Sequence, residues 1–145
     1  MQFDGRSYDQ IEVGETFGDS IVITPHHITA GARLIGDFNP LHMNQSFAEQ
    51  SRFGARILHG VMTAAIAGAP LGNYFAGTAI AYLEQNNRFV APVYPGDTLT
   101  TTWKVTSRTD KPKAGGGIVD LQGTCRNQHG AVVLQATGKV LLASA

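Results

Sequence analysis

Leu58-His59-Gly60-Val61-Met62-Thr63-Ala64-Ala65-Ile66-Ala67-Gly68-Ala69-Pro70-Leu71 is the stretch that decides how this chain folds. It is apolar on nearly every side and rich in alanine. A surface helix carries a polar stripe, and this run barely has one. It therefore reads as a helix buried among other elements, with small side chains that allow close packing against a sheet. The apolar part is short, and Gly68 and Pro70 break it, so it does not read as a membrane span. Gly60, near its start, leaves backbone N–H groups without intrahelical partners. A helix N-terminus also favours negative charge placed beside it.

Downstream of this run the period changes from helical to alternating. Thr78 to Leu83 alternates imperfectly, and Asn87 to Val90 continues a possible strand. Val93-Tyr94-Pro95-Gly96-Asp97 is a turn signal. From Leu99 to Thr106 the alternation is clean, with Leu99, Thr101, Trp103 and Val105 on one face. Residues 110–117 hold two lysines, Pro112 and three glycines in a row, and read as a mobile loop or a hairpin end. Ile118 to Arg126 is a further strand, Asn127 to Gly130 a hairpin connection, and Ala131 to Leu142 the last strand. One antiparallel sheet curled around one helix satisfies both apolar surfaces. The expected fold is α+β, a single domain over residues 1–145, with a helix followed by an antiparallel meander.

Upstream, residues 8–20 read as a leading loop with a first short strand or turn, and Ile21 to Ile23 as an edge strand. Thr24-Pro25 is an N-cap followed by proline at the first helical position. His26 to Ile35 carries a helix with Ile28, Ala32 and Ile35 apolar, ended by Gly36 and Pro40. Leu41 to Phe47 is a short helical turn.

The helix end is where the chemistry gathers. Gly36-Asp37-Phe38-Asn39-Pro40-Leu41-His42 places a carboxylate, an amide and an imidazole around a proline. Asn39 precedes Pro40, so its backbone is pushed toward the extended region. On an unbroken helix Asp37 and His42 would point in different directions. The break lets them converge into an acid–base pair, with Asn39 able to orient a polar group. The same residues also suit an Asx-type turn that ends a helix, and the local sequence leaves both readings open.

Composition narrows the function classes. The chain has 145 residues, enough for one domain, and 43% are hydrophobic, enough for one core. Eleven basic residues balance eleven acidic ones. No net field steers the chain to nucleic acid or a membrane. Local basic groups, Arg52 with Arg56 and Arg108 with Lys111 and Lys113, suit either a phosphate-bearing ligand or solvated surface. Cys125 is the one cysteine, which excludes an internal disulfide and a thiolate zinc site. It reads as a buried structural thiol, and a reduced, cytoplasmic setting fits it. The start Met1-Gln2-Phe3-Asp4-Gly5-Arg6 lacks the pattern of a signal peptide.

With these motifs in hand, the chain resembles the MaoC-like, (R)-specific enoyl-CoA hydratase/dehydratase family of the hotdog fold. The resemblance covers roughly residues 8–142 and rests on Gly36 to His42, on Ile57-Leu58-His59-Gly60, and on Arg88-Phe89 followed by Pro92-Val93, Pro95 and Gly96-Asp97. It implies reversible hydration of a trans-2-enoyl thioester, carried on CoA or a carrier protein. Asp37 and His42 match the catalytic pair. Asn39 matches an amide that holds the reacting water or carboxylate, and Gly60 the backbone donor to the thioester oxygen. No metal and no cofactor are implied. A homodimer pairing sheets edge to edge is expected, or a dimer of such dimers, with no nucleic-acid partner and no membrane insertion. One position departs: some family hydratases have a serine where this chain has Gly68, so the cavity loses a hydroxyl. His59 is expected to bond a backbone carbonyl and steady the loop before Gly60. His26, His27 and His129 are expected at the surface or in local hydrogen bonds. A thioesterase, or a noncatalytic acyl-thioester-binding protein, remains the alternative use of the same fold.

Overall fold

A computed structural model describes residues 3–145; Met1 and Gln2, the first residues of the expected domain, lie outside it. Five strands form one antiparallel sheet in the order β1-β3-β4-β5-β2. They are β1 (Thr16–Val22), β2 (Ala79–Phe89), β3 (Thr98–Lys111), β4 (Gly116–Arg126) and β5 (Val132–Ala143). The helices α1 (Pro25–Ile35), α2 (Pro40–Met43), α3 (Gln45–Gln50) and α4 (Gly60–Tyr74) all precede β2. The domain is a hotdog fold, with the sheet folded around α4.

Trp103 explains why helix and sheet meet as they do. It is fully buried on β3, and its indole N–H donates to the carbonyl of Ala67 at 2.7 Å, joining the sheet to the middle of α4. Its register partner on β4 is Gly123. A Cβ there would lie 2.8 Å from the indole, so glycine makes the room that the ring fills. Leu99, Thr101 and Val105 are buried beside it, as their alternation predicts. On β5, Gln135, Thr137 and Lys139 share the exposed face. Cys125 is fully buried, and that burial raises its thiol pKa against the opposing hydrogen bond with Thr101.

The structure refines four sequence expectations. Gly68 and Pro70 break the apolar run but not α4 itself. The helix continues to Tyr74 with Pro70 buried, so tertiary packing outweighs the lost hydrogen bond. Nor is α4 covered on all sides within the chain: Thr63, Ala67, Pro70 and Leu71 are buried, while Val61, Ala65, Ala69 and Gly72 are exposed. The meander is confined to β3, β4 and β5. β2 crosses over to pair with β5, and the proline-punctuated segment after it runs across to the end of β1, where Ile23 N–H donates to Asp97 C=O at 2.8 Å and Gly96 N–H to Ile23 C=O at 2.6 Å. Finally, of the two readings of 110–117 the hairpin end holds, with Lys111 opposite Gly116 and Gly115 in the left-handed region at φ 72°.

Smaller differences concern boundaries. The first strand starts at Thr16 and does lie at a sheet edge, while 41–47 is two short helices separated at Asn44. α1 begins at Pro25 under Thr24 and ends at Gly36, whose φ of 78° suits glycine.

Candidate active site

The turn between α1 and α2 is built by its own side chains. Asp37 Oδ1 accepts from Asn39 N–H at 3.0 Å, and Asn39 Oδ1 accepts from Leu41 N–H at 2.9 Å. Asn39 is thus the N-cap of α2, with Pro40 at the first helical position. The Asx-turn reading is therefore correct as far as it goes. It uses one oxygen of Asp37 and only the oxygen of Asn39.

The same turn brings Asp37 and His42 together. Asp37 Oδ2 lies 3.9 Å from His42 Nε2. The carboxylate side chain is 46% exposed and the imidazole 12%, so the pair sits at the lip of the protein with the ring turned inward. His42 Nδ1 is 2.7 Å from the carbonyl of Ile57. A carbonyl only accepts, so Nδ1 carries a proton, and Nε2 is the ring nitrogen that faces Asp37.

His59 completes this arrangement. It is 1% exposed, and its Nε2–H donates to the backbone carbonyl of Asp37 at 2.9 Å. The expectation of a carbonyl partner holds, but the loop it steadies is the Asp37 turn. Its ring stacks on that of His42 with centroids 3.9 Å apart. One buried residue thus fixes the backbone of the carboxylate and a face of the imidazole. Sequence reasoning set His59 beside Gly60 and could not see the contact 22 positions back. The ligand atoms of Asp37, His42 and His59 lie within 4.8 Å of one another. Each ring, however, already spends one nitrogen as a donor to a backbone carbonyl, Nδ1 of His42 to Ile57 and Nε2 of His59 to Asp37, so neither is turned wholly toward a metal ion.

Gly60 is the first residue of α4, and its N–H makes no hydrogen bond among the described residues. Gly60 and His42 line one cavity of about 310 Å³ together with Phe53, Thr63, Phe89 and Val93. Asp37 is not among the residues lining it; it stands beside the cavity, next to His42. Arg52 stands 5.9 Å over the Phe53 ring, near this cavity. Arg108, by contrast, lies 4.4 Å over Tyr8 and donates to the Ile11 carbonyl at 2.7 Å, so it serves the fold. His27 accepts from Thr24 N–H at 2.9 Å within the cap of α1, and His129 is exposed, as expected of both.

At Gly68 a Cβ would come 2.9 Å from Gln85 Oε1. Part of the space left by the missing side chain is therefore taken by Gln85.

Comparison with known proteins bears on what this geometry does. The MaoC like domain family matches residues 10–123. An (R)-specific enoyl-CoA hydratase of Rhodospirillum rubrum is 32% identical over 135 residues, covering 93% of this chain and 90% of that protein. An (R)-specific enoyl-CoA hydratase of Aeromonas caviae is 37% identical over 109 residues, covering 74% and 81%. Among solved structures, the R-hydratase PhaJ1 from Pseudomonas aeruginosa in its unliganded form superposes with a TM-score of 0.86 at 27% identity, covering 96% of this chain and 86% of that one.

Proposed function

The chain belongs to the MaoC-like domain family, and on that premise we propose that it reversibly hydrates a trans-2-enoyl-CoA to an (R)-3-hydroxyacyl-CoA. The observation that carries the proposal is the placement of Asp37 Oδ2 3.9 Å from a His42 Nε2 whose ring is held from behind by Ile57. That gap lets one water hydrogen-bond to both groups.

In this reading the thioester oxygen accepts from Gly60 N–H, at the positive end of α4. The pair draws a proton from the bound water as the water oxygen bonds to the β carbon. The electron pair of the alkene moves to the thioester, where enolate charge rests against Gly60 N–H. The proton held by the pair then passes to the α carbon. Asn39, with its oxygen committed to α2, offers its amide nitrogen to the water or to Asp37. Dehydration is the same path reversed. No step calls for a metal or cofactor.

The assembly proposed with this function is a homodimer, which is where the open side of α4 matters. Val61 on α4 is 58% exposed, and β2 exposes Ile80, Tyr82, Leu83 and Phe89 by about half each. β2 is also a sheet edge eleven residues long, with unpaired backbone groups. A second copy pairing there would cover both. Sedimentation at micromolar concentration would show a monomer if this pairing does not form.

The test of the reaction is a panel of trans-2-enoyl-CoA substrates with chiral analysis of the products. Loss of the conjugated alkene without thiol release, giving the (R)-alcohol, supports the proposal. Release of free CoA with the alkene intact would instead identify a thioesterase, and no turnover of any member would favour a binding protein.

A further inference from the structure

α4 and β2 run side by side, and three residues of β2 mark off the seam. A Cβ at Gly60 would reach Phe89 at 3.4 Å, and one at Gly68 would reach Gln85 Oε1 at 2.9 Å and the Tyr82 hydroxyl at 3.7 Å. Between these points, Gln85 Nε2 donates to the carbonyl of Ala64 at 3.0 Å and to Asn87 Oδ1 at 2.8 Å. The Tyr82 hydroxyl donates to Gln85 Oε1. Burial lifts the Tyr82 phenol to about 12, so it remains a donor at neutral pH. Gln85 is therefore held at both ends of its amide across the seam.

Two cavities lie along that seam. One, of about 310 Å³, holds Gly60, His42 and Phe89. The other, of about 320 Å³, lies about two turns further along α4 and is bounded by Ala65, Gly68, Leu71, Val140, Tyr82 and Gln85. Apart from Tyr82 and Gln85, its walls carry no polar side chain. A third cavity touches Ile66 and Pro70 but opens toward β1 and β3, away from this seam. An acyl chain anchored by its thioester at Gly60 would meet the second cavity further along β2, and Gln85, which lines that cavity, bonds α4 at Ala64 between the two.

We propose that Gln85, braced by Tyr82 and seated against the bare backbone of Gly68, bars the acyl path between these cavities and selects for short-chain enoyl thioesters. The inference rests on the thioester reading of the Gly60 cavity. Gln85 acts as a specificity-determining residue and takes no part in proton transfer. The missing side chain at position 68 has a purpose in this account: it makes room for the glutamine amide.

The experiment measures kcat/KM for trans-2-enoyl-CoA substrates of four, six and eight carbons, with the wild type, Gln85→Ala and Tyr82→Phe. Circular dichroism confirms the fold of each variant, and Tyr82→Phe carries the test should Gln85→Ala fail to fold. The wild type should lose efficiency from four carbons to eight. Gln85→Ala should raise the ratio of eight-carbon to four-carbon efficiency by about tenfold or more, whatever its absolute rate. Tyr82→Phe should move the ratio the same way by less. A purely structural role would lower all three substrates together and leave the ratio unmoved. An unchanged ratio in the folded variants, or a wild type that prefers eight carbons, overturns the barrier while hydration stands. A wild type that hydrates none of the three overturns the reading beneath it.

Discussion

Asn39 closes the first turn of α2 through its side-chain oxygen, and its amide nitrogen is the part that this bond leaves for the reaction. The two jobs separate chemically. Aspartate caps a helix about as well as asparagine does, but it has no NH2 to donate. Asn39→Asp should therefore keep the thermal midpoint within a few degrees while turnover of a short enoyl-CoA drops about tenfold or more. Full turnover at an unchanged midpoint would reduce Asn39 to a cap. At this scale the convergence of Asp37 and His42 was legible, because proline geometry argues for it without any knowledge of the fold, while turn and acid–base pair both stayed open. What stayed hidden was His59. Its hydrogen bond to the Asp37 carbonyl and its stack on His42 span 22 and 17 residues of chain, and no local pattern encodes such a contact.

α4 offers its own test, because the proposed oxyanion donor is a backbone group at a helix start. Proline is tolerated at the first helical position, where its missing N–H breaks no intrahelical bond. His59 has φ −57° and ψ 135°, which suits a residue that precedes proline. Gly60→Pro should therefore fold and lose about a hundredfold to a thousandfold in kcat. A folded variant with the wild-type rate would show that Gly60 N–H does not hold the thioester oxygen. The elements themselves were unevenly readable. β3 was plain because alternate side chains enter the core. β2 reads as two pieces because a register shift between Tyr82 and Glu84 interrupts the period of two. β1 hardly alternates, since six of its seven residues are exposed at the sheet edge. Pro70 interrupts the apolar run locally, yet buried contacts carry α4 on to Tyr74.

Across the whole molecule, a clasp joins the N-terminal segment to the far end of α4. Arg6 Nε donates to Glu15 Oε1 at 2.9 Å, the Tyr74 hydroxyl donates to the same oxygen, and Tyr74 stacks on Phe17 at 3.8 Å. Burial alone would raise the Glu15 carboxyl. Hydrogen bonds from Arg6, Tyr74 and the Glu12 backbone, with the Arg6 charge, outweigh it and bring the pKa down to about 2. A depressed carboxylate stabilises the fold above its unfolded pKa, and that contribution fades as pH falls from 4.5 toward about 2. Glu15→Gln should accordingly melt earlier than the wild type at neutral pH, and the gap should narrow as the pH is lowered through this window. A gap that stays constant with pH would mean that the clasp does not depend on the Glu15 charge. Topology was the least legible level. That β2 pairs with β5 instead of β3 depends on the path of the segment from Val90 to Asp97, which its prolines mark as a turn without giving a direction.

The proposed hydration turns on Asp37 being a proton-transfer group as well as a turn residue. Asparagine at position 37 keeps an oxygen to accept from Asn39 N–H but has no carboxylate to share a proton with His42. The decisive measurement is the hydration rate of a four-carbon enoyl-CoA by Asp37→Asn, taken beside its melting temperature. The expected result is a rate lower by about a hundredfold or more with a melting temperature close to that of the wild type. Wild-type turnover by the folded variant would contradict the account, leaving Asp37 as the end of a helix and nothing more.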